Sequence, residues 1–238
     1  MTELWSYLAE GPLLWLTLTL IAYGLGDSAF RASGRKPVLN PVLLAVALLA
    51  VLLRLTGTSY ETYFEGAQFV HFMLGPATVA LAVPLYTNLA LVRSSALPML
   101  AALAAGSLTA MASAVLIARA LGVDQATLLS LLPKSATAPV ALGVSEAIGG
   151  QPSLTAVLVI ATGITGAIVA TPLFDALRIT DYRARGFALG VASHGIGTAR
   201  AFQVNETAGA FAGVGMGLNA LLTALLAPLL APWLIGTY

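Results

Sequence analysis

With 9 % charged residues against 58 % from the AVILMFWYC set, the 238-residue chain has a mean hydropathy of +0.91. An ordinary soluble protein carries roughly 25 % charged residues. This chain has too few to cover its apolar surface in water, which excludes a soluble enzyme, a secreted disulfide scaffold and a disordered protein. A net charge of +1 offers no field for nucleic acid, and the absence of cysteine removes disulfides and thiolate metal sites.

The composition is that of an all-α polytopic membrane protein, read as one integral membrane domain over 1–238. No cleavable signal is expected, because the first ten residues hold Glu3 and Glu10 and neither Lys nor Arg. Eight apolar segments run over approximately 12–30, 38–54, 67–87, 95–118, 126–148, 153–177, 185–203 and 207–235, giving seven to eight spans once broken or re-entrant helices are allowed for. Arg54 to Glu65 is the only room for an external loop helix, and its Tyr60, Tyr63 and Phe64 suit the membrane–water interface.

Charge placement tests the topology. Arg31, Arg35 and Lys36 form one cationic cluster and Arg178, Arg183 and Arg185 another, and both belong on the cytoplasmic side. Five apolar segments separate them, so one must fail to cross. Segment 126–148 is the candidate, because Pro133 and Pro139 each remove a backbone donor and clash with the preceding turn. Broken backbone at membrane depth needs protein or a water-filled cavity around it.

Lys134 stands between those prolines. A lysine near the bilayer centre costs roughly 2.5–3.5 kcal/mol and must face a cavity or a partner. It either holds an anionic substrate or takes a structural role, snorkelling to an interface or pairing with Glu146. Ser135 and Thr137 add hydroxyls, and Thr137 is placed to cap a half-helix from Ala138 to Ile148 with Pro139 in its first turn. Lysine, hydroxyls and a helix N-terminus together suit a small organic anion.

A weak internal repeat points to the same place. LGPATVALAVPLY (74–86) and SATAPVALGVSEA (135–147) share a Pro and an Ala-Thr pair, with Ala77-Thr78 lying 59 residues before Ala136-Thr137. Paired interrupted segments mark transporter sites, whereas the same residue types also recur by chance. Gly75 and Pro76 would start a second half-helix with Thr78 aimed at the cavity, unless Pro76 is a simple kink; His71 precedes them.

Segment 190–202, GVASHGIGTARAF, is a short glycine-rich span in which Gly195 and Gly197 allow unwinding. Ser193, His194, Thr198 and Arg200 are its polar candidates. His194 contacts substrate or a coupled proton, or else bonds a neighbouring helix; Arg200 contacts substrate or lies at a rim. Asn219 and Asn88 suit interhelical hydrogen bonds. Gly186/Gly190 and Gly209/Gly213/Gly217 permit close packing, either within the chain or in a homodimer. GIGTAR lacks the third glycine and the βαβ context of a dinucleotide fingerprint, and neither GxSxG nor HExxH occurs, so no catalytic, cofactor or metal site is expected.

Four strings carry a family resemblance: LGPATVALAVPLY (74–86), LLPKSATAPVALGVSEAIGGQPSLTA (131–156), GVASHGIGTARAF (190–202) and MGLNALLTALLAPLL (216–230). On these the sequence resembles the LrgB/CidB family of membrane proteins from about residue 12 to 235. The resemblance implies a multi-pass protein of the bacterial inner (plasma) membrane. Its family pattern falls on Pro133, Lys134, Ser135, Thr137 and Pro139, and on Ser193, His194, Gly195, Gly197 and Thr198. Family members are described as holin- or antiholin-like modulators of murein hydrolase export and autolysis, usually beside a smaller LrgA or CidA partner. A fused plastid relative moves glycolate and glycerate, and some bacterial pairs are linked to pyruvate. No LrgA-like part is expected in this chain.

Two functions stand after this reading. One is an alternating-access carrier of small monocarboxylates (glycolate, glycerate, pyruvate, lactate). The other is a holin/antiholin-like protein acting by oligomerisation, for which a buried lysine in a broken helix is a costly feature, so it ranks second. An anion channel is a third class.

Overall fold

A computed structural model describes residues 11–73, 76, 79, 86 and 89–236. The chain divides into two compact units, Met1–Ala80 and Leu81–Tyr238. Among the described residues four helices are long and apolar enough to cross a membrane, and no strand occurs.

The first unit holds α1 (Pro12–Ala32), a 3-10 turn (Pro37–Leu39), α2 (Pro41–Thr56) and α3 (Tyr60–Phe72). Proline opens α1 and α2, where a missing N–H costs nothing, and the Asn40 side chain accepts from the amides of Val42 and Leu43. Gly26 lets the Pro41 backbone close on α1, since a Cβ there would lie 2.7 Å from the Pro41 carbonyl oxygen. Arg54 to Glu65, read as room for a loop helix, holds the end of α2 and the start of α3. α2 runs through Arg54, α3 resumes at Tyr60, and Tyr63 meets the fully buried Trp15 edge-on at 6.0 Å.

The second unit contains α4 (Leu89–Ser94), α5 (Ala96–Ala120), α6 (Gln125–Leu131), α7 (Ala138–Ala147), α8 (Pro152–Ala176), α9 (Tyr182–Val204) and α10 (Glu206–Ile235). α6 and α7 are the two halves of segment 126–148, separated by turns over 132–137. They form a re-entrant hairpin. Near the end of α6 the Ser130 hydroxyl accepts from the Gln151 amide at 2.7 Å, and Thr155 donates both to the Ser130 carbonyl (3.1 Å) and to the Ser145 hydroxyl (2.7 Å). The chain therefore enters and leaves this element at one end, and α8 starts there.

Segment 185–203, read as a short span able to unwind at Gly195 and Gly197, is a second hairpin. α9 breaks at Ser193 (φ −133°, ψ 18°) and His194 (φ 42°, ψ −135°). Residues 189 and 197 would stand about 12 Å apart along a continuous helix. Instead a Cβ at Gly197 would lie 2.8 Å from the Leu189 carbonyl oxygen. α10 confirms the reversal. Gly186 and Gly190 abut Ala208 and Ala212 in ascending order, whereas Phe202 meets Gly209 and Thr198 meets Met216 in descending order. The halves, α9a (182–192) and α9b (195–204), therefore run parallel and antiparallel to α10. The break falls on Ser193-His194 rather than on the glycines expected to unwind. Gly197 is needed for the approach to Leu189, and Gly195 stays in the helix that follows.

The two hairpins open toward opposite ends of the unit. Arg119, closing α5, donates to the Leu234 carbonyl near the end of α10, on the side where the first hairpin opens. Arg185 bridges Asp175 and the Ile179 carbonyl, tying the end of α8 to the start of α9 on the other side. Close α9a–α10 packing depends on absent side chains, because a Cβ at Gly190 would overlap the Ala212 carbonyl. Gly190→Leu is expected to lower stability by about 1–3 kcal/mol through overpacking, read as a fall in Tm in detergent. Gly213→Ala, with nothing near its Cβ position, should leave Tm the same or higher.

Candidate functional site

Proline placement shapes the tip of the first hairpin. Pro139 has no N–H to return to the Ser135 carbonyl, and the helix is interrupted before it. Turns replace it: the Lys134 amide donates to the Leu131 carbonyl at 3.2 Å and the Ala136 amide to the Pro133 carbonyl at 2.9 Å. Leu132, Pro133, Ser135 and Ala136 are buried. α7 begins at Ala138 as expected and ends at Ala147, one residue short of Ile148. Thr137 holds the N-cap position in extended backbone, but its side chain makes no cap bond, contrary to expectation. The first-turn amides of α7 thus lack acceptors within the helix.

Lys134 is half-buried, and its Nζ donates to the Ser135 hydroxyl at 3.4 Å. Among the described residues the ion pairs are Arg31–Asp27, Arg183–Asp181 and Arg185–Asp175, so Lys134 is not paired with Glu146.

The tip of the second hairpin comes to the same place. His194 is 5 % exposed, and its Nε2 lies 2.9 Å from the Val159 carbonyl. A carbonyl only accepts, so Nε2 carries the hydrogen and Nδ1 is the acceptor of the neutral ring. Val159 also packs with Ala136 and Ala141 of the first hairpin. Val159 thus links His194 to the turn that carries Lys134 and Ser135. Positive φ at a non-glycine residue costs of order 1–3 kcal/mol and persists only where the surroundings enforce it. Here they do: Thr198 donates to the His194 carbonyl at 2.8 Å, and Gly163 and Gly166 of α8 leave room for His194 and Ser193.

The structure therefore brings Lys134, Ser135 and His194 together. Ser193 is buried against Gly166, and Thr198 braces the reversal. Arg200 is half-buried about 9 Å further along α9b, where its Nη1 donates to Gln203 at 3.5 Å, toward the hairpin opening rather than the tip. Pro139 is exposed in the first turn of α7. Pro76 is exposed with helical backbone, whereas Gly75, Thr78 and Asn88 lie outside the described residues, as does the Ala77-Thr78 half of the repeat. Sequence reasoning missed Val159, Ser107, Gly163 and Gly166, and the Ser130–Ser145–Thr155 cluster. Fully buried hydroxyls and two close glycines within otherwise apolar runs were the available signal.

Two broken hairpins meeting tip to tip across a lysine and a histidine lie inside the region, residues 19–233, that matches the LrgB-like family model. The chain belongs to the LrgB-like family. It is a multi-pass bacterial membrane protein. Among its relatives, the uncharacterized protein YxaC of Bacillus subtilis (strain 168) is 39 % identical over 180 residues, covering 76 % of this chain and 78 % of that one. YwbG of the same strain, also uncharacterized, is 37 % identical over 201 residues, 84 % and 89 % of the two chains. The antiholin-like protein LrgB of Bacillus mycoides (strain KBAB4) is 32 % identical over 203 residues, 85 % and 88 %. No solved structure matches the chain.

This LrgB-like chain also has an apolar cleft of about 630 Å³ between α5 and α9a, reaching from Ser95 and Arg183 at its mouth to Ala192 beside the reversal. Lys134 does not line it. At the mouth, hydrogen bonds from Arg183 hold the Asp181 carboxyl below the usual carboxylate range.

Proposed function

We propose that this LrgB-like protein is a carrier of small organic monocarboxylates, of the glycolate, glycerate, pyruvate and lactate class, working by alternating access. The observation that carries this reading is Lys134: a half-buried ammonium without an acidic partner among the described residues, at the convergence of two interrupted hairpins. In such surroundings it binds an anion, and the first-turn amides of α7 add donors of the same sign. Ser135 and His194 supply polar contacts for the rest of a small acid. The hairpins open to opposite ends, which suits a site reached alternately from each side.

The relatives' names favour a second reading more directly than they favour transport. "Antiholin-like" favours a role in restraining membrane lesions; in that reading the protein would act by oligomerisation with an LrgA/CidA-type partner. One experiment separates the two. Purified protein is scanned for thermal stability with glycolate, glycerate, pyruvate, lactate and choline, since a ligand of the folded state raises Tm with concentration. The carrier reading expects a saturable rise with one or more acids, none with choline, and saturable uptake of that acid into proteoliposomes. No shift with any acid, together with unsaturable dye leakage, overturns it in favour of the lesion-modulating reading.

A further inference from the structure

We propose that Asn219, oriented by Ser107, is the positioning residue of the anion site: it holds the tip of the first hairpin so that Lys134 and the start of α7 face one point. The inference rests on the carrier reading and goes beyond it, since neither residue is among the substrate contacts proposed above.

The argument begins with Pro139. The Ser135 carbonyl would ordinarily accept from the amide four residues on, and Pro139 has none. Inside a membrane protein that carbonyl must find another donor. Asn219 of α10, 1 % exposed, supplies it: Nδ2 donates to the Ser135 carbonyl at 3.0 Å. The polarity of the amide is not free. Because the carbonyl can only accept, the nitrogen must face it, so Oδ1 is left to accept a proton. Ser107 of α5, 2 % exposed, provides that proton at 2.6 Å. The line Ser107–Asn219–Ser135 thus has one direction and connects two long helices to the hairpin tip.

Its effect falls on the peptide unit between Ser135 and Ala136. That unit is held at both ends, its carbonyl by Asn219 and its amide by the Pro133 carbonyl. Lys134 precedes it and Thr137 follows it. Rotation of this one plane would swing the lysine away from the start of α7. Asn219 is placed to prevent that rotation without occupying the site.

The absence of cysteine makes a direct test available. Lys134→Cys serves as a reporter in an otherwise thiol-free chain, and its labelling rate by a cationic methanethiosulfonate is measured with Asn219, Asn219→Ala and Asn219→Asp. Both substitutions should change the rate by about tenfold, the factor one such hydrogen bond is worth. Aspartate is expected to fail as badly as alanine, because it faces the Ser135 carbonyl with an acceptor. In the chain that retains Lys134, Asn219→Ala should raise KM for labelled glycolate or pyruvate by about tenfold while Vmax per folded molecule stays within about twofold. Should Asn219→Ala fail to fold, Ser107→Ala removes the orienting proton and must alter the same rate. Unchanged labelling overturns the positioning role, as does altered labelling with an unchanged KM. Altered labelling in a protein whose wild type shows no saturable uptake overturns the carrier reading alone.

Discussion

Lys134→Ala abolishes saturable uptake of the preferred acid in proteoliposomes and the thermal shift that the acid produces. A hydrogen bond to a charged group is worth about 1.5–3 kcal/mol, so binding should weaken by about ten- to hundredfold or more. Lys134→Met, which keeps the length and removes the charge, should be as inactive as alanine. Lys134→Arg keeps the charge but replaces a compact ammonium with a planar fork, and should retain only part of the activity. Folding should survive all three. No carboxylate among the described residues pairs with Lys134, so removing it strands no buried countercharge. A Tm unchanged or raised in Lys134→Met, with uptake gone, assigns the lysine to the substrate. Wild-type uptake in that variant would sink the assignment.

The second large effect is topological. Single cysteines at Gln125 and Gln151 flank the first hairpin, and single cysteines at Arg183 and Val204 flank the second; all four positions are exposed. An impermeant maleimide applied to right-side-out or inverted vesicles should label the first two from one side and the last two from the other. The logic is the reversal at Ser193-His194. If α9 crossed the membrane as a straight span, Arg183 and Val204 would label from opposite sides. The cationic residues Arg93, Arg178, Arg183 and Arg185 predict that the second hairpin opens to the cytoplasm.

The first hairpin was legible in the sequence and the second was not. Pro133 and Pro139 each withhold an amide from the turn before them, with a lysine between the two, and that signal is local. Nothing comparable marks Ser193-His194. Glycines at 195 and 197 pointed to the neighbourhood, but the turn fell on the two residues before them. Thr198 braces the His194 carbonyl there, and the small residues Gly163 and Gly166 of α8 leave room for the turned side chains. That room belongs to another helix, and no pattern within 190–202 reveals it. Likewise an interhelical bond from Asn219 was expected, whereas its partners, a hydroxyl 112 residues away and a carbonyl 84 residues away, became known only with the packing.

The amino-acid order alone determined that this is a helical membrane protein, that the chain breaks around Lys134, and which family it belongs to, because apolar length, missing amide donors and motif strings are properties of contiguous residues. Packing decided that a second break exists, that the two open toward opposite ends, and that Lys134, His194, Val159 and Asn219 converge. Those outcomes depend on which helices lie side by side and how closely their backbones approach, which distant segments settle jointly.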